Sequence, residues 1–459
     1  MLTIYELQKI TKGKIDQGDA AATVTGVSIN SRIIRRGNVF IAIKGARFDG
    51  HQFIPKAIRH GARAVIVSKK VRCPRDIAVV RVKDTTKALG QIAAWHRARF
   101  DIPVIAITGS TGKTTTKEMV ASVLQKKFRV LKNAGTENNQ FGVPLTLLRL
   151  KSFHQAAVLE LGTNQPGDIR WLAKIAGPTM AVFTNIGESH LEKLKSPAGV
   201  FREKAQLIKY VEPGGVIFVN GDDSYLAPLS KASIKHRAVR FGCGHNVDHK
   251  ASRIRIMGNR CLHFKIQHHL VKINSPAVHN VYNALAAISC GLAFKIRYND
   301  IIVALSRFQF RRGRQEINKI GPFWLIDDTY NANPVSFTSA INTLDALHIQ
   351  GKRIVVCADM LELGPRSAAF HRAAGAMIGR SNTDVVLTIG RCSRFITEEA
   401  KRFKSKIVAR HCKDMKDVQR HLKTFCRPGD GILIKGSRAM HMERAVVYFK
   451  EYCHLKFLN

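Results

Sequence analysis

The chain has 459 residues, 45% of them apolar, and a formal net charge of +41, enough length for about three domains at ~100–200 residues each. No apolar run approaches the ~18 residues of a membrane helix, and residues 1–20 lack the apolar stretch of a secretory leader, so neither a membrane span nor a signal peptide is expected. The charge divides as +14 over residues 1–100, +15 over 101–310 and +12 over 311–459, with no basic tail and no RRM, KH or zinc-finger signature, so no nucleic-acid partner is expected.

Residues 1–98 alternate short apolar runs with turns, first Asn38 to Lys44 and then Ala62 to Ser68, and read as a small α/β domain. A helix-like stretch from Leu89 to Phe100 leads to a linker at Asp101-Ile102-Pro103. In residues 99–310, apolar runs end abruptly in polar or glycine residues. Val104 to Ile107 meets Thr108-Gly109, Ala156 to Leu159 meets Glu160, Met180 to Phe183 meets Thr184-Asn185, and Gly215 to Val219 meets Asn220. Helical periodicity between them predicts a mostly parallel sheet with helices on both faces, and such sheets bind ligands beyond the carboxyl ends of their strands. Residues 311–459 repeat the pattern with Phe323 to Ile326, Arg353 to Cys357, Asp384 to Ile389 and Gly431 to Ile434, and predict a Rossmann-like doubly wound domain. The expected class is α/β with three domains. Nine cysteines without a CxxC pair read as free thiols of a cytoplasmic protein.

The strongest signal is Thr108-Gly109-Ser110-Thr111-Gly112-Lys113-Thr114-Thr115, between the first central strand and a helical stretch with Met119, Val120, Val123, Leu124 and Phe128 at helical spacing. Glycines there let backbone N–H groups turn around phosphate oxygens, and the helix N-terminus adds its dipole. Lys113 then reaches the β/γ-phosphates of ATP and Thr114 holds Mg²⁺. The glycines are only three apart, and the usual first glycine of a general phosphate loop falls on Ile107. A phosphate loop alone fits motors, GTPases, helicases and ligases. Glu160 at a strand end is a sensible Mg²⁺ ligand. His190 follows another strand, and Lys204 sits in an Ala/Gln/Leu helical pattern; each is weak alone.

Taken in order along nearly the whole chain, these residues resemble the Mur ligases. The N-terminal part carries Ser31-Arg32, Phe40 to Gly45 with Lys44, and Phe48-Asp49-Gly50-His51, similar to that family's uridine-nucleotide-binding domain. The phosphate loop has the family's shorter spacing. Asn138-Asn139-Gln140, Glu160 to Asn164, Thr184-Asn185 with His190, Lys204, His279-Asn280 with Asn283, Arg314, Asp327 to Pro334, Asp359 to Gly364 and Lys435 to Arg438 follow. The resemblance implies that ATP and Mg²⁺ are used, with Thr114 and Glu160 on one metal and His190 on a second. Lys204 matches a lysine carbamylated by CO₂, which requires a neutral amine and hence a depressed pKa. Asn280 is implied at adenine, Asp328 at ribose and Arg314 at the γ-phosphate.

Asp327-Asp-Thr-Tyr-Asn-Ala-Asn-Pro334 resembles the members with a dipeptide acceptor. These join D-alanyl-D-alanine to UDP-N-acetylmuramoyl-tripeptide through an acyl phosphate, and Asn331 and Asn333 are implied at the dipeptide end. Ser31, Arg32, Lys44, Gly45, Asp49, Gly50, His51, Asn138 and Asn139 are implied at the sugar-peptide substrate. Ala205-Gln206, Ala277-Val278 and Asn30 depart from the family's usual residues. A monomer with hinges near 99–103 and 309–314 is expected to close and exclude water. The rival readings are a folylpolyglutamate synthase-like amide ligase, a nucleic-acid-stimulated ATPase, and a metal module at Cys243, His245 and His249.

Overall fold

The computed structural model describes residues 1–45, 48–229 and 236–457. Three sheets organise the chain. The first has five strands in the order Lys14–Gln17, Ala78–Arg81, Ala64–Val67, Val39–Ile41 and Val27–Ser28, all parallel except the first. The helix Thr85–Arg97 follows, started by Asp84, whose carboxylate accepts the N–H groups of Thr86 and Lys87. Its last residue, Arg97, is buried and donates to the carbonyls of Phe100, Ile102, Ala176 and Gly177. That guanidinium ties the first linker to the central domain, so a hinge at 99–103 must carry four hydrogen bonds with it.

The central sheet has nine strands, in the order His269–Ile273, Cys261–Ile266, His249–Met257, Arg237–Gly242, Val216–Asn220, Met180–Phe183, Val104–Thr108, Ala156–Glu160 and Val130–Lys132. Every pair is parallel up to His249–Met257, and the last three strands form an antiparallel meander that the periodicity did not predict. Val104–Thr108 shows why the core strands read as unbroken apolar runs. Ile105 and Ile107 face a cluster with Met119, Val123 and Leu285, while Val104 and Ala106 face one with Leu172, Val200 and Leu207. Both faces are covered, so no position alternates to water.

The third sheet has six strands, in the order Glu316–Ile320, Phe323–Asp328, Gly431–Lys435, Arg353–Ala358, Val385–Ile389 and Val408–Cys412. Only Glu316–Ile320 is antiparallel, an edge hairpin absent from the sequence reading. All nine cysteines are free. No helix among the described residues is long and apolar enough to cross a membrane.

Candidate active site

The carboxyl ends of the second and third sheets face each other across a cavity of about 860 Å³. The phosphate loop forms one wall. Gly109 has φ +154°, and a Cβ there would fall 1.9 Å from Thr184 Oγ1; Gly112 has φ +77°, and its Cβ would meet Asn283 Oδ1 at 2.5 Å. Side chains at either position would push the loop off its neighbours. Thr184 and Asn185, at the next strand end, hold it from behind. Thr184 Oγ1 donates to Thr111 O at 2.6 Å, and Asn185 Oδ1 accepts the Thr111 N–H at 2.9 Å.

Lys113 starts the helix Lys113–Leu124, and its ammonium donates to Gly109 O at 2.8 Å. Burial lowers its pKa, Arg314 adds to that, and Glu160 opposes it. Glu160 is buried at the end of its strand. Its two oxygens accept from Thr114 Oγ1 and Asn138 Nδ2, each at 2.7 Å, and no ion pair among the described residues reaches it. A buried carboxylate with only neutral donors retains lone pairs for a cation, and its hydroxyl and amide neighbours are the hard oxygen chemistry that suits Mg²⁺.

Lys204 does not line the cavity. It is fully buried at the end of the helix Pro197–Ala205, where burial and the nearby Lys113 drive its pKa well below the usual lysine range, only partly offset by Glu203. His190 lines the cavity in a left-handed conformation, φ +53°, with Nδ1 2.5 Å from Glu362 Oε2 of the third domain. Glu192 N–H also donates to Glu362 O, so this junction joins the two domains. Arg314, Asp328, Asn331 and Asn333 line the opposite wall. The Arg314 guanidinium sits 3.9 Å from the centre of the Tyr330 ring. Asn333 doubles as the N-cap of Pro334–Ala346, accepting the Ser336 N–H.

One contact implied by the resemblance meets a different placement. Asn280 does not face the cavity: its amide donates to Ser275 Oγ at 2.9 Å and its oxygen accepts from Asn283, and it is Asn283 that lines the cavity. The spacing of three residues on one helix face was the available signal. Ser31, Arg32, Lys44, Gly45, Asp49, Gly50 and His51, expected at the nucleotide-sugar substrate, lie in the first domain, and none of them lines this cavity. His51 is turned inward, its Nε2 accepting the Ser68 N–H while Nδ1 donates to Asp49 at 2.6 Å. Asp49 also takes Lys69, and that hydrogen bond holds its carboxyl far below the usual range. The rival metal module does not form: among the described residues Cys243, His245 and His249 do not converge, and His249 Nδ1 pairs with Ser289 Oγ at 2.7 Å.

His279 is a cavity residue whose role the sequence left unstated. Its Nδ1 is 2.6 Å from Ser339 Oγ of the third domain, and burial lowers its pKa to about 4. Folding therefore favours the neutral ring. Between the usual histidine pKa of ~6.5 and about 4 the unfolded chain binds the proton and the folded chain does not, so stability falls as pH drops through that window. The acid slope of thermal stability is expected to flatten in His279→Gln, and an unchanged slope between pH 6.5 and 4 rules this contribution out.

Family models match along the chain: a Mur ligase family catalytic domain over residues 23–97, a Mur ligase middle domain over 107–291 and a Mur ligase glutamate ligase domain over 306–438. The chain belongs to the Mur ligase family. It is 35% identical to a UDP-N-acetylmuramoyl-tripeptide–D-alanyl-D-alanine ligase of Bacillus subtilis, covering 97% of each chain. The enzyme of that name from Escherichia coli is 33% identical, over 98% of each. A crystal structure of MurF from Acinetobacter baumannii superposes with a TM-score of 0.90 at 32% identity, covering 98% of this chain and 99% of that one. MurF ligase from Thermotoga maritima, solved in complex with ADP, gives 0.83 at 29%, covering 94% and 99%.

Proposed function

We propose that the chain joins D-alanyl-D-alanine to UDP-N-acetylmuramoyl-tripeptide at the expense of ATP, in the cytoplasm. The observation that carries this reading is the full-length likeness to ligases of that name, with Asp328 and Tyr330 to Asn333 of the dipeptide-acceptor motif lining the cavity.

A carboxylate has no usable leaving group at neutral pH. Its attack on the γ-phosphate of ATP forms an acyl phosphate and releases ADP; the dipeptide's amine then attacks the acyl carbon and phosphate departs. Lys113, Arg314 and the N–H groups of the phosphate loop neutralise charge that builds on the transferring phosphoryl oxygens. Thr114 and Glu160 would hold one Mg²⁺, with His190 and Lys204 serving a second. The metal supplies charge screening between carboxylate and triphosphate. A neutral Lys204 amine can add CO₂ and lose a proton, giving a carbamate oxygen ligand in place of an ammonium. Asn283 lines the cavity beside Gly112 of the phosphate loop. Asn331 and Asn333 offer amides to the dipeptide, and the first domain holds the nucleotide end of the other substrate.

Phosphate release should require ATP, UDP-N-acetylmuramoyl-tripeptide and D-alanyl-D-alanine together. Equal release with glutamate and a folate acceptor in place of the last two would instead favour the folylpolyglutamate synthase-like reading.

A further inference from the structure

One buried lysine is used by none of these steps. Lys117 lies one turn beyond Lys113 on the same helix and is 0% exposed. Its ammonium donates to Asn133 O at 2.7 Å and Gly135 O at 2.9 Å, and sits 3.1 Å from Glu118 Oε1. Glu118 also pairs with Lys132 and, at 2.6 Å, with Arg311 of the linker to the third domain.

The carbonyls that Lys117 holds begin the loop of residues 133–141, between the strand Val130–Lys132 and the helix Gly142–Leu147. That loop sets Glu160 in place. The Asn133 amide brackets the Glu160 backbone, accepting its N–H at 2.9 Å and donating to its carbonyl at 3.0 Å. Asn138 donates to the Glu160 carboxylate at 2.7 Å, and its own carbonyl accepts the Gly162 N–H at 2.8 Å. A methionine would fill the Lys117 space without the cost of desolvating a charge. What it lacks is donors to hold two carbonyls of the loop at once.

We propose that Lys117 is a positioning residue that acts through loop 133–141 to hold Asn138, and so the Glu160 carboxylate, in the orientation that takes Mg²⁺ beside Thr114. This rests on the metal role given to Glu160 above. It requires the loop to be set before any metal arrives.

Hydrogen exchange on the wild-type protein tests that directly. The amides of Glu137, Asn138 and Gly162, which donate to Ala134 O, Thr136 O and Asn138 O, are expected to be protected without Mg²⁺ or nucleotide, and free exchange that slows only on adding both would overturn the proposal whatever the variants do. In Lys117→Met, the Mg²⁺ concentration that half-saturates binding of a non-hydrolysable ATP analogue is expected to rise about tenfold, the scale seen when a residue behind a metal ligand is lost. Affinity for UDP-N-acetylmuramoyl-tripeptide should stay within twofold. Adding Lys117→Met to Asn138→Ala should cost nothing further, because both act on one carboxylate. An Mg²⁺ requirement within twofold of wild type, or fully additive losses, would overturn the assignment. Should Lys117→Met not fold, the wild-type exchange result decides. Neither binding nor exchange depends on which amide the enzyme makes, so a failure of the substrate assignment remains distinguishable.

Discussion

Turnover is expected to fall at least about a thousandfold in Lys113→Ala, with the fold intact, because a charged donor aimed at developing phosphoryl charge is worth roughly that much in a dry site. Among the described residues the ammonium's hydrogen bonds go to the Gly109 and Ser110 carbonyls of its own loop, so its removal takes no support from the core. Loop shape depends instead on Gly109, Gly112 and the Thr184-Asn185 brace, which stay in place. The loss should therefore sit in ADP release, with the thermal unfolding midpoint within a few degrees of wild type. Lys113→Arg should recover little, since a planar fork does not substitute for a point charge among closely spaced carbonyls. Single-turnover formation of ADP at saturating ATP is the measurement, and a rate within tenfold of wild type would remove Lys113 from the chemistry.

The sequence showed the strands with both faces buried, because such strands are written as unbroken β-branched runs that stop at a functional residue. Val104–Thr108, Ala156–Glu160 and Phe323–Asp328 all end on a residue of the cavity or its support. The meander from His249 to Ile273 was not legible. Its strands alternate basic and apolar residues, as in Arg253-Ile254-Arg255-Ile256, and one of its faces is open to water, so no continuous apolar run marks it. At the site, residue types were legible and directions were not. Asn280 and Asn283 share a motif, but only packing decides that the first turns to Ser275 and the second to the cavity. His51, given to the substrate by resemblance alone, links Asp49 and Ser68 through its two ring nitrogens, a pairing that no local pattern announces. Lys204 and Lys117 look like solvated lysines in helical patterns, and nothing local distinguishes them from exposed ones. Their burial is set by the loops and strands folded over them.

The largest loss of stability is expected at a different lysine. Lys435 ends the strand Gly431–Lys435 with no solvent exposure, 2.5 Å from Asp328 Oδ2 and 3.0 Å from Asn331 O. Its neighbour strand Phe323–Asp328 ends at that same carboxylate, so one ammonium joins two strand ends to the turn that carries Tyr330 and Asn331. In Lys435→Met the side-chain volume remains, but a buried carboxylate loses its counter-ion, which costs about 3–5 kcal/mol. For a domain of this size that lowers the unfolding midpoint of the third domain by roughly 10 °C. Most of the loss belongs to the stranded charge and not to the missing attraction. Adding Asp328→Asn to Lys435→Met should therefore restore stability, leaving the double variant above the single one. Activity should not return with it, because Asp328 and Asn331 both face the cavity. A double variant that melts lower than Lys435→Met alone would mean that the lysine supports this wall through packing, with the charge pair incidental.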